Sequence, residues 1–217
     1  MKKLLNKELR LALSILTPLF LLFSFMTLIP GYPILMGAFF VCFGIFQSFQ
    51  TAREANDITY SALLPIRKTD VVTAKFLMTA LFQMLGLLIM VLLTLLRMTA
   101  LKTALPYATN PLAAANPVFL AFTLLIYTAF NVLFLRGFFK TAYYYGKPFV
   151  TFIIVTMLIV AVFESLHHLP GLAWLNDISG SAIGGQLVIL AAAAAVYLLG
   201  TLLSLKASQR SFQNLDI

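Results

Sequence analysis

Residues 76–96, FLMTALFQMLGLLIMVLLTLL, carry no charged side chain along a stretch as long as a bilayer core is thick. A helix crossing about 30 Å of hydrocarbon needs about 20 residues, so a continuously apolar run of this length reads as a membrane span. A strand is the poorer reading, because the run is too long and does not alternate apolar with polar residues. Similar runs recur on both sides. Six spans are expected, at about 11–29, 34–50, 76–96, 117–135, 148–166 and 184–205. The expected fold class is an all-α polytopic integral membrane protein, with residues 1–217 forming one transmembrane domain.

Composition leads to the same place. The chain is 61% hydrophobic and 10% charged, against about 45–50% and about 25% in soluble domains. Too little polar material exists to cover a water-facing surface, so lipid must cover most of it. The start, MKKLLNKELRLALSILTPLFLLFSF, imitates a signal peptide. Its apolar run from Leu11 to Ile29 is longer than a signal h-region, and no small-x-small site closes it, so a retained first span is expected. Pro18 within that span predicts a kink. Cys42 is the only cysteine and excludes an intramolecular disulfide.

The net charge of +8 does not point to nucleic acid, because the bases sit in short gaps between apolar runs. They obey a membrane rule, in which cytoplasmic loops are rich in Lys and Arg. With the N-terminus in the cytoplasm, thirteen of the fifteen bases lie inside and only Arg97 and Lys102 lie outside. Both termini and the loop at 51–75 are then expected in the cytosol. Phe138, Phe139 and Tyr143 to Tyr145 are expected as anchors in the headgroup layer.

Chemistry is sparse. There is no phosphate loop, no H-E-x-x-H helix and no nucleophile elbow. Glu164 and His167 share a helical face, but a di-metal bundle needs that pattern twice with two further carboxylates, so no metal site is expected. Small residues at Ala191, Ala195, Gly200 and Ser204 have the spacing of close helix approach.

Seven of the 22 charged residues fall between positions 53 and 75, in REANDITYSALLPIRKTDVVTAKF. Asn56 or Asp57 can cap a short helix through ITYSALL, which stops before Pro65. Thr69 can cap the third span, with Asp70 in its first turn favoured by the helix dipole. The picture is a short helix at the cytosolic surface, braced by two spans and able to dock into a soluble partner.

This segment resembles the one between spans two and three in permease subunits of type-2 ABC exporters. There an Arg-Glu pair precedes a short coupling helix, and a Leu-Leu-Pro-Ile/Val-Arg stretch and a Lys at the next span follow. The basic start KKLLNKELRLAL resembles the family's interfacial elbow helix. The segment near 166–184 resembles its re-entrant hairpin.

The resemblance implies a permease in a bacterial plasma membrane. It would couple a separate ATPase subunit to substrate export, as a homodimer or with a related permease. The chain itself would be no enzyme and bind no cofactor, with ATP and magnesium held by the ATPase. The implied coupling residues are Arg53, Glu54, Asp57, Tyr60, Leu63, Leu64, Pro65, Arg67 and Lys68, with Thr69, Asp70 and Lys75 at the start of span three. The alternative expectation is a substrate-binding membrane subunit of a vitamin-uptake, energy-coupling-factor transporter.

Overall fold

The computed structural model describes residues 2–57, 60–61, 66–108, 110–141 and 144–215. All secondary structure among them is helical. The chain opens with α1 (Lys2–Lys7), which widens into a π-helical turn at Glu8–Ala12. Then come α2 (Leu16–Phe20), running on as a 3-10 helix at Leu21–Leu28, and α3 (Met36–Glu54). Next is α4 (Lys68–Thr99). A continuous helix follows, built from α5 (Pro117–Ala129), a π segment at Phe130–Leu135 and α6 (Arg136–Phe139). The chain finishes with α7 (Gly146–Leu166) and α8 (Ile183–Gln213).

Four of these are long and apolar enough to cross a membrane: α4, the continuous helix Pro117–Phe139, α7 and α8. The expected spans at 76–96 and 184–205 prove to be the inner parts of longer helices, of 32 and 31 residues. The first two expected spans do not reach the same measure. In α3 the polar group Gln47, Ser48, Gln50 and Thr51 dilutes the apolar run. The stretch expected at 11–29 is not one helix kinked at Pro18 but breaks before it, at Leu13, whose backbone is extended. Pro18 has no N–H to give the Ser14 carbonyl, and the Thr17 N–H takes that carbonyl at 3.0 Å instead. The apolar helix is thereby shortened to Leu16–Leu28.

The helix Pro117–Phe139 is the central post. Its most apolar stretch is 72% buried, against 22% for α7 and 17% for α8. Asn116 caps it by accepting the Phe119 N–H at 3.1 Å, and Pro117 occupies the first turn, where a missing N–H costs nothing. Around it the core is aromatic. Phe46 and Phe149 stack with ring centroids 3.7 Å apart, and Phe134 meets Phe46, Phe49 and Phe149 edge-on. Phe138 and Phe139 belong to this core. They are buried against Phe49, Phe76 and Phe212 rather than exposed as anchors would be, because the central helix runs on past residue 135 and packs them into the bundle. Tyr144 is exposed, as an anchor would be, and Tyr145 is half-buried. Tyr143 lies outside the described residues.

Segments expected on one side of the membrane gather at one end of the bundle. Arg53 lies over the Tyr145 ring at 4.9 Å, the Gln209 amide donates to Thr73, and Lys68 reaches the Leu215 carbonyl. At the opposite end the Arg97 guanidinium donates to the Thr27 carbonyl at 2.8 Å. There too the Glu164 carboxylate accepts the Ala113 N–H at 2.9 Å.

Close approach of α2 to α3 depends on Gly44. A Cβ there would stand 2.5 Å from Phe20 Cβ, and the Thr17 hydroxyl donates to the Gly44 carbonyl at 2.7 Å. Gly44→Ala is expected to destabilise the purified protein by about 1–3 kcal/mol through overpacking. Gly184→Ala, where an added Cβ meets nothing within 4 Å, leaves the melting temperature unchanged. Equal melting of the two variants in detergent would disprove the tight contact.

Candidate functional site

A lysine in an apolar helix is stable only if its charge is matched. Lys75, on the second turn of α4, is 1% exposed. Its ammonium donates to Glu8 Oε2 at 2.7 Å and to Asp57 Oδ2 at 3.0 Å. Lys7 completes the group by pairing with the other Asp57 oxygen and with Glu8 Oε1, the latter at 3.3 Å. Its ammonium also donates to the buried Ser61 hydroxyl at 2.6 Å. Two cations and two anions thus cancel, and they tie the α1 segment, the loop after α3 and α4 into one knot. The face of Phe49, from α3, lies 5.7 Å from the Lys75 ammonium.

The local chain explains how Asp57 reaches this place. Helix α3 ends at Glu54, and Asn56 adopts φ +50, a left-handed conformation that asparagine tolerates at helix ends. The reversal turns Asp57 back beneath the bundle. The Asn56 carbonyl then accepts the Tyr60 N–H at 3.0 Å, and Asp57, Tyr60 and Ser61 are helical. Burial by itself would raise the Asp57 carboxyl, but Lys75 and then Lys7 outweigh it and hold the group below its usual value.

The other predicted residues divide by exposure. Glu54, Tyr60 and Arg67 are exposed at the same end, with Tyr60 at 57%. Arg53 is half-buried beside Tyr145. Leu63, Leu64 and Pro65 lie outside the described residues. Thr69 does not cap α4. The helix starts one residue before it, Arg67 occupies the cap position without a side-chain cap, and the Thr69 carbonyl accepts the Thr73 hydroxyl. Asp70 does stand in the first turn.

Sequence reasoning missed Lys7, Glu8 and Ser61. One signal was available: Glu8 is the only carboxylate in the first 53 residues, and it precedes an apolar run. A second polar group also went unread. Gln83 and Asn131 exchange side-chain amide hydrogen bonds at 3.0 and 3.2 Å between α4 and the central helix. The Tyr197 hydroxyl from α8 donates to Gln83 at 3.0 Å, and Asn131 donates to Thr201 at 2.9 Å. Asn131 sits in the π segment, whose wider turn disturbs the regular backbone ladder, and its carbonyl takes the Ser204 hydroxyl. At the far end Glu164 and His167 bind the backbone at Ala113 and Pro111, and no metal-holding group of side chains occurs among the described residues.

A family model described as ABC-2 family transporter protein matches residues 3–213, nearly the whole chain. The match favours the permease reading over a vitamin-uptake subunit. Nothing among curated proteins or solved structures matches significantly.

Lys75→Met would leave the Glu8 and Asp57 carboxylates buried near one another with only Lys7 between them, and is expected to cost about 3–5 kcal/mol. The pH dependence follows from the lowered Asp57 value. Its contribution is full above the unfolded carboxyl range, about pH 4, and is lost only as pH falls through the lower folded value. Melting temperatures of the purified chain should therefore show no loss from Asp57 between about pH 5 and 8, with a loss below about pH 4 that is smaller in Asp57→Asn.

Proposed function

The chain belongs to the ABC-2 family of transporter proteins, and on that premise we propose that it couples a separate ABC ATPase subunit to export of a substrate across the membrane. The observation carrying this reading is the buried cluster of Lys7, Glu8, Asp57 and Lys75. A partner pressing on the loop after α3 cannot move it alone. The load passes through Asp57 to Lys75 on α4 and through Glu8 and Lys7 to the N-terminal segment. Nucleotide-driven closure of the ATPase then shifts the bundle, through contacts that differ between its two states.

The docking face of this reading is the exposed set around the cluster, chiefly Glu54, Tyr60 and Arg67. Exposed Tyr60 is a large aromatic at a polar surface, the kind of residue that anchors protein interfaces. The charge distribution supports a cytosolic position for this end, since thirteen of fifteen bases fall in the segments grouped with it. Leu63, Leu64 and Pro65 extend the face by resemblance. The working unit is a pair of permease chains, identical or related, with two ATPases that bind ATP and magnesium, in a bacterial plasma membrane.

Co-expression with a candidate ABC ATPase provides the test. Tagged protein is expected to retain that ATPase on purification. Glu54→Ala and Leu64→Asp should each lower substrate-stimulated ATP hydrolysis several-fold while the permease still inserts and melts normally. Unchanged hydrolysis and transport in both variants would exclude coupling through this loop.

A further inference from the structure

Between the end of α6 and the start of α7 the surface holds a cavity of about 670 Å³, with Lys140, Lys147 and Thr151 at its rim and Leu133, Gly137 and Pro148 in its wall. Gly137 makes this shape possible, because a Cβ there would stand 2.7 Å from Pro148 Cβ. Both lysines are exposed and, among the described residues, neither has an ion-pair partner. No carboxylate occurs in sequence between Asp70 and Glu164, and none lines the cavity. The amides at the start of α7 add to the positive charge of the lysines, for that helix begins without a side-chain cap.

Beyond the cavity, the exposed face of the same helix changes character. Lys147, Thr151, Ile154 and Leu158 follow one another at helical spacing and all four are exposed. Read along α7, that face offers a cation, then a threonine whose hydroxyl donates back to the Lys147 carbonyl at 3.0 Å, then two aliphatic side chains on a segment long and apolar enough to cross a membrane. An anionic phospholipid presents its charged and apolar parts in that order, phosphate first and acyl chain after.

We propose that this groove binds one anionic phospholipid, with its phosphate between Lys140 and Lys147 and an acyl chain along Ile154 and Leu158. A soluble anion satisfies the lysines but leaves the aliphatic half bare, and a neutral lipid does the reverse. The proposal rests on α7 crossing the bilayer and not on coupling, so it is tested without an ATPase.

Full-length protein in neutral detergent is titrated with phosphatidylglycerol, phosphatidylcholine or inorganic phosphate, and bound molecules are counted by native mass spectrometry. Phosphatidylglycerol is expected to be retained roughly thirtyfold better than phosphatidylcholine, the scale set by two lysines near a lipid surface. K140Q/K147Q should erase that preference. K206Q/R210Q removes the same charge from exposed positions of α8 and should preserve it. Thr151→Trp, which fills the groove and keeps both lysines, should lower phosphatidylglycerol retention severalfold.

Equal retention of the two lipids overturns the proposal, as does equal loss in the two double variants, which would mean diffuse surface charge. Displacement of the lipid by millimolar inorganic phosphate would assign the site to a free anion. Cross-linking of Thr151→Cys to the same position of a second chain would assign the face to a protein contact.

Discussion

A buried ammonium needs its counter-charges within reach, and Lys75 finds them on two different parts of the chain. The arrangement near residue 75 follows from that need. Glu8 must be brought to α4, so the N-terminal segment packs there. Asp57 must be turned inward, so α3 ends in a left-handed asparagine. Taking any one member away leaves a charge in a place from which water is largely excluded, which is why the group behaves as a unit. A knot of this kind holds three segments in one geometry and leaves the residues around it, such as Glu54 and Tyr60, free to meet another surface.

The middle of the bundle meets the same constraint with neutral groups. Gln83, Asn131, Tyr197 and Thr201 join α4, the central helix and α8 through side-chain hydrogen bonds. In a lipid setting such bonds hold helices together where the hydrophobic effect between them is weak. The π segment around Asn131 is part of the same device, since the Asn131 carbonyl accepts the Arg136 N–H five residues on and takes the Ser204 hydroxyl as well. Aromatic packing fills the remaining space at the loop end, with Phe134 at its centre. Charge ties the segments at one end of the bundle, and amides tie the helices in its middle.

Much of the architecture was legible in the chain. Residues 76–96 announced a membrane helix because a long run without charge has few other homes, and the structure extends that helix by a turn or more at its start. The grouping of the charged loop with the N-terminus and the tail was legible from the distribution of bases. Asp57 stood out in the sequence as a carboxylate that topology did not explain. What the sequence did not tell is that its oxygens meet Lys7 and Lys75. Phe138 and Phe139 were misplaced because an aromatic in a basic stretch reads as an interface anchor, and nothing local says that a helix will carry it inward.

Composition and periodicity by themselves determined that this is a helical membrane protein and where its long apolar helices lie, because both follow from how many consecutive residues avoid charge. Family membership was also legible, from motifs local to one loop. Which charges meet was decided only by the tertiary structure. Glu8 and Lys75 stand 67 positions apart, and Gln83 and Tyr197 stand 114 apart. Pairing over such separations depends on how helices pack and on where each one turns, and neither is written in the neighbourhood of either residue.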